Sequence, residues 1–255
     1  MKKILISNNK LLQPLYSNLD ETVYEKKVMS ELKCIDEIKK NNFDLALISP
    51  LVYTSVITKG DFRIVPTNML IMEDYTNSLV INIKQNKESL EKIYFEEINE
   101  FMIVAAKLVL SERFNITPVL TNKLDDADII VSNKKISDTC FDIDLTEDWY
   151  DTFEIPMVAG FWIVNNENEE NVANAVKLTK EFAGLLHDHE HISDDYDDCY
   201  IRTGKKYWCW SEDVRQYLDK IFDILYYHGY SEHIADVKIL HETYTSFNEE
   251  NNENN

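Results

Sequence analysis

The chain has 255 residues, 44% apolar and 28% charged, with a formal net charge of -20. These values fit a globular protein of one large or two small domains. The negative charge excludes nucleic-acid backbones and anionic membrane surfaces as partners. It also opposes any anionic ligand that local donors do not hold.

Lys2 and Lys3 precede only the short apolar run Ile4-Leu5-Ile6, whereas a secretory h-region needs about 7–15 residues. No stretch approaches the length of a membrane span, so a cytoplasmic location is expected. The four cysteines, Cys34, Cys140, Cys199 and Cys209, form no CxxC pair, which argues against a disulfide framework or a structural zinc site.

In chain order, residues 3–7 read as a buried strand, and Leu11–Leu19 is helix-like. Thr22–Ser30 reads as a strand, Leu32–Asn41 as an amphipathic helix and Phe43–Ser49 as a second buried strand. This βαβαβ order predicts a parallel sheet with helices on its faces. Two extended segments follow, Phe62–Met72 and Ser78–Gln85. A long helix over Glu96–Asn115 carries Ile98, Phe101, Ala105, Leu108 and Val109 on one stripe. Three short strands come next, in 117–121, 127–132 and 140–145.

Asp144–Phe153 reads as an acidic helical turn, and Pro156 then opens the apolar strand Met157–Val164. The last third reads as mainly helical. One helix runs from about Glu169 to His189, another from an N-cap at Ser211 to a stop at Gly229. A chain that leaves one α/β unit, builds a second and returns makes two lobes. Lobe one is expected from 1–85 and 157–245, lobe two from 86–156, and 246–255 is expected to be a disordered tail. A small ligand is expected in the cleft between lobes.

Three segments resemble, in order and spacing, the chorismate dehydratase family of the futalosine route to menaquinone: "FDLALISPLVY" (Phe43–Tyr53), "DLTEDWYDTFEIPMVAGFWIV" (Asp144–Val164) and "EDVRQYLDKIFDILYYHGY" (Glu212–Tyr230). The resemblance covers about Ile4 to Leu240. It implies an α/β, two-lobed type II periplasmic-binding-protein-like fold with helical C-terminal packing. The activity it implies is that of a cofactor-free hydro-lyase, which turns chorismate into 3-[(1-carboxyvinyl)oxy]benzoate. The substrate is a dicarboxylate, so its pocket needs donors for two anions and a route for one proton.

The resemblance implies Ser78 as the catalytic candidate. Asn8, Asn9, Lys10, Ser49, Asn77, Asn99, Glu100, Ser132 and Asn133 are the implied substrate-binding candidates. The family's first loop keeps its Pro and Leu here as Pro14 and Leu15, but Leu11 stands at its Asn position. Glu100 stands where the family carries an Arg-like residue, with Glu96 and Glu97 beside it. These acids favour a helix N-terminus and repel a substrate carboxylate. Two further readings therefore remain open: a binding protein or related enzyme for a less anionic ligand, and a pseudoenzyme acting through protein contacts around Trp208 and Trp210.

The bland readings are equally concrete. Ser78 can be a strand-end hydroxyl bonded to backbone, and Asn8-Asn9 a simple turn. His187 and His191 have i,i+4 spacing, with His189 between them, but in a polar helix end imidazoles are usually solvated. No metal is expected there. Residues 193–199, "SDDYDDC", read as a solvated loop. Trp208 and Trp210 read as packing for the last helix. None of the five glycines falls in a phosphate-cradling pattern, so nucleotide phosphate is not an expected ligand. Oligomeric state has no signature in the sequence.

Overall fold

In a computed structural model of the chain, the described residues are 1–85, 87, 89–136, 140–182, 189–197 and 200–240. The first elements are β1 (Lys2–Ser7), a 3-10 turn over Lys10–Leu15, β2 (Tyr24–Met29), α1 (Glu31–Lys39), β3 (Leu45–Ile48), α2 (Pro50–Val56) and β4 (Phe62–Ile64). Next come β5 (Leu70–Asp74), β6 (Val80–Lys84), β7 (Lys92–Phe95), α3 (Glu100–Phe114), β8 (Val119–Leu120), β9 (Ile129–Ser132) and β10 (Cys140–Asp144). The chain continues through α4 (Leu145–Phe153), β11 (Met157–Asn165), α5 (Glu169–Phe182), β12 (His189–Asp197), β13 (Tyr200–Tyr207) and α6 (Asp213–Tyr227). Among the described residues, no helix is long and apolar enough to cross a membrane.

Two compact units divide the chain. Unit 1 takes Met1–Leu70, Gly160–Asp188 and the segment from Trp208 onward; unit 2 takes Ile71–Ala159 and His189–Tyr207.

In unit 1, β1 pairs in parallel with β2 and β3, as the βαβαβ order predicts. The end of β11 runs antiparallel to β3 and β4. Strands β3 and β11 are buried at every position, which is why their sequences are unbroken apolar runs rather than alternating ones. Helix α6 turns Val214, Leu218, Ile221, Phe222 and Leu225 inward, the stripe expected of a 3.6-residue period. Phe222 stacks on Tyr53 of α2 at 5.2 Å between ring centroids, and Phe161 of β11 meets the same ring edge-on at 5.6 Å. Each such pair adds about 0.5–1.5 kcal/mol beyond its buried area.

Unit 2 holds a five-stranded sheet in the order β10-β6-β9-β7-β8. Strand β7 is parallel to β9 and β8, and β6 is antiparallel to both β9 and β10. The same unit contains the hairpin β12–β13, whose β13 pairs antiparallel with β5.

Several sequence expectations change. Residues 193–197 are strand rather than loop, and His189 opens a strand rather than closing a helix. Across the hairpin the register sets Asp194 opposite Arg202 and Glu190 opposite Lys206, an arrangement of unlike charges that a two-stranded pairing tolerates. An acidic run looks solvated only until its basic partner strand is found. His191 is exposed on this strand, so a helical i,i+4 argument does not apply to it; His187 lies outside the described residues. Among the described residues, no group of His, Cys, Asp and Glu could hold a metal ion.

Helix α3 begins at Glu100 rather than Glu96. Glu96 N still bonds to Val131 O at 2.9 Å, and Glu97 has a left-handed φ of 52°, a backbone that no helix continues. Asn99 then caps the helix by accepting from Met102 N at 3.4 Å. At α6 the cap residue is Glu212, without a side-chain cap bond; Ser211 contributes only its carbonyl, to Val214 N at 3.1 Å. Trp208 and Trp210 lie beyond the end of β13 and are half-buried.

Candidate functional site

The sequence-selected residues fall in both units. In unit 1, Asn8, Asn9, Lys10 and Ser49 follow the C-terminal ends of the parallel strands β1 and β3. Asn8 and Lys10 are exposed. Ser49 is fully buried and caps α2, accepting from Val52 N at 3.4 Å. Asn9 is 7% exposed, and its Oδ1 accepts from Leu11 N at 3.0 Å. Its Nδ2 has no hydrogen-bond partner among the described residues. Unit 1 also has a surface groove of about 750 Å³ between α1, α2 and residues 229–233, and none of these four residues lines it.

In unit 2 the other candidates share one edge of the five-stranded sheet. Val80, the first residue of β6, pairs with both Ser132 and Asp144, and Val131 pairs with Phe95. This register brings Asn77-Ser78, Ser132-Asn133, the α3 N-terminus with Asn99-Glu100, and Asp144 to the same edge. Ser132 Oγ is held by Lys134 O at 2.6 Å and Asn82 Nδ2 at 3.3 Å. Asn82, fully buried, also accepts from Ile136 N at 2.9 Å. Asn133 is exposed and Glu100 half-buried.

Ser78 is 5% exposed and donates to Thr76 O at 3.3 Å, while Thr76 Oγ1 lies 3.0 Å from its oxygen. Thr76 Oγ1 in turn lies 2.7 Å from Thr146 Oγ1. Asp144 organises this cluster. Its Oδ1 accepts from Thr146 N and Glu147 N, both at 3.0 Å, and its Oδ2 accepts from Asn77 N at 2.8 Å. The run Asp144-Leu145-Thr146 therefore caps α4 and fixes the Asn77–Ser78 loop with one carboxylate. Burial pushes the Asp144 pKa up, against the hydrogen bonds from Thr146 and Glu147.

Beside this edge is a cavity of about 180 Å³, lined among others by Tyr75, Asn77, Asp144, Asp194, Lys135 and Arg202. Arg202 is the residue that sequence reasoning missed. It is only 9% exposed and points from β13, with Nε 2.8 Å from Glu147 Oε2 and Nη2 on the same oxygen. Its guanidinium stacks over the Tyr75 ring at 4.4 Å from the centroid, and Tyr75 Oη donates to Asp194 Oδ2 at 2.9 Å. Burial alone would lower the Arg202 pKa, but the Glu147 hydrogen bond and charge carry it upward. Burial and the Asp194 carboxylate push the Tyr75 phenol up. Lys135 pairs with Asp142 at 2.8 Å.

The cavity thus offers one buried guanidinium, one ammonium and the Asn77 side chain as donors, set against three carboxylates. Alternation in the sequence points away from Arg202: on β13 the apolar Ile201 is exposed and Arg202 is buried, the reverse of what a half-buried strand predicts.

No protein-family model matches the chain, and no curated protein matches it. Solved structures do resemble it. Protein AF1704 from Archaeoglobus fulgidus is 13% identical, with a TM-score of 0.52 over 89% of this chain and 97% of that one. PhnD1 from Prochlorococcus marinus, solved in complex with methylphosphonate, is 10% identical over 90% and 98% of the two chains, with a TM-score of 0.47. The Candida albicans CA3427 gene product, described as having the generic periplasmic binding protein structural fold, is 11% identical over 71% and 70%, with a TM-score of 0.39. The chain has a type II periplasmic-binding-protein-like α/β fold, built as two compact units.

Proposed function

We propose that the chain binds a small anionic ligand against Arg202 in unit 2 and acts as a diverged chorismate dehydratase in menaquinone biosynthesis. Three sequence segments resemble that family along most of the chain. The observation that carries the reading is the buried Arg202, a guanidinium that lines the same cavity as Asn77, the chain neighbour of Ser78. It offers a carboxylate the planar two-point donor that the α3 N-terminus lacks where Glu100 stands. Lys135 supplies a second cation for the second carboxylate. The reaction removes one ring proton and the ring hydroxyl of chorismate as water and leaves an aromatic ring. It needs positioning and one proton transfer, and no change of oxidation state by an outside reagent.

A second reading has its own observation. Arg202 and Lys135 already hold Glu147 and Asp142, and Asp144 and Asp194 also line the cavity. This charge balance favours a neutral or cationic ligand over a dicarboxylate.

Overnight incubation of chorismate with excess protein, followed by mass analysis, separates the two. The first reading expects a product lighter by one water, lost in Ser78→Ala. Unchanged chorismate, together with a melting temperature raised by a neutral or cationic compound, assigns the second.

A further inference from the structure

We infer that Glu147 sets the anion selectivity of the Arg202 site by occupying, from within the same chain, the place a ligand carboxylate would take. The inference rests on the reading of Arg202 as an anion-binding residue and adds what that reading leaves open: why so acidic a protein would expose a guanidinium to its cavity.

The geometry has three parts. Arg202 presents Nε and Nη2 to a single oxygen of Glu147, the donor edge a ligand carboxylate uses in a two-point contact. The pair is largely shielded, with side chains 10% and 16% exposed, so solvent screens it little. The opposite constraint comes from Tyr75, which covers one face of the guanidinium at 4.4 Å and is itself fixed by Asp194. Arg202 is therefore held in place from its edge and its face, and it lines the cavity in that pose.

An entering carboxylate must displace Glu147 from the donor edge or share the guanidinium with it. Only a ligand whose anion binds better than Glu147 gains from the site. A weak anion is excluded, although the cavity contains an arginine. Glu147 is well placed to compete: Asp144 fixes its backbone by accepting from Glu147 N at 3.0 Å, so its side chain starts close to Arg202 and loses little freedom on pairing. Its role is positioning and selection, through Arg202.

The test uses the full chain and isophthalate, a stable aromatic dicarboxylate. Its dissociation constant is measured by calorimetry for wild type, Glu147→Gln, Glu147→Ala and the double variant Glu147→Gln/Arg202→Gln. Glu147→Gln keeps the shape and a hydrogen-bond acceptor but removes the competing charge. The inference expects it to bind isophthalate at least about tenfold more tightly than wild type, the factor for one charge-assisted contact that no longer has to be exchanged. Glu147→Ala should gain similarly, and the gain should vanish in the double variant.

Equal or weaker binding by folded Glu147→Gln and Glu147→Ala overturns the inference, as does a gain that survives loss of Arg202. No binding by any variant also overturns it, because an uncovered Arg202 that takes no anion was never blocked by Glu147. Failure of the dehydratase reading looks different: isophthalate binding tightens in Glu147→Gln while chorismate remains unconverted.

Discussion

Replacing Asp144 by alanine tests how the α4 N-terminus and the Ser78 loop are held. The carboxylate accepts from three backbone amides, those of Asn77, Thr146 and Glu147, at 2.8–3.0 Å, and it is 2% exposed. Losing an N-cap costs about 0.5–2 kcal/mol. The Asn77 amide also loses its acceptor, and because Asn77 is exposed and water can replace the bond, this costs about 0.5–1.5 kcal/mol. Against this stands relief of a buried carboxylate whose pKa is pushed up by desolvation, so the expected net loss is about 1–3 kcal/mol. Asp144→Asn should cost less, since its carbonyl can still cap α4 while the buried charge disappears. The assay is urea denaturation followed by far-UV circular dichroism, with amide hydrogen exchange read at Asn77, Thr146 and Glu147. Those three amides should lose protection in Asp144→Ala. A shift below about 0.5 kcal/mol, with protection unchanged at all three, would refute the shared-carboxylate explanation.

Gly204→Ala should destabilise unit 2 by at least about 2 kcal/mol. Its added Cβ would lie 2.0 Å from Tyr75 O and 2.5 Å from Tyr75 N, and backbone cannot turn aside as a side chain can; a melting temperature equal to wild type would contradict this. Stability should also fall as pH rises from about 4 to 6. Burial lifts the Asp148 pKa from 3.8 to about 6, with Arg113 of α3 and Arg202 of β13 opposing and Glu147 and Asp151 of α4 reinforcing. A carboxyl raised in the folded state binds its proton more tightly there than when unfolded, so its stabilisation is present at low pH and lost through that window. Asp74 and Asp144 are raised too and act in the same direction. Urea midpoints across pH 4–7 should show the decline, shallower in Asp148→Asn; an identical slope in the variant would exclude Asp148 as a source.

Much of the fold is legible because burial writes itself into the sequence. The apolar runs of β3 and β11 could hardly be anything but strands covered on both faces, and the αβ alternation before them fixed the parallel pairing. The hairpin β12–β13 was hidden because β12 is an acidic run, which reads as solvent-facing until β13, with Arg202 and Lys206 opposite Asp194 and Glu190, is placed beside it. The same gap hid the site. Ser78 was chosen for its family position, and its hydroxyl is engaged by Thr76. Arg202 lies 124 residues later, and only the tertiary fold brings it to the cavity with Asn77 and Asp144. The Asp144-Leu145-Thr146 run looked like a family mark on a helical turn; the structure gives it a physical task, closing α4 and the Asn77–Ser78 loop together.

Calorimetric titration of chorismate into wild-type protein and Arg202→Gln bears most directly on the anion-binding role given to this cavity. Measurable binding to wild type that weakens at least about tenfold in the variant, the loss expected for one charge-assisted carboxylate contact, would establish Arg202 as the anchor. Equal affinity in both proteins, or no heat from either, would contradict it and turn the search to a neutral or cationic ligand.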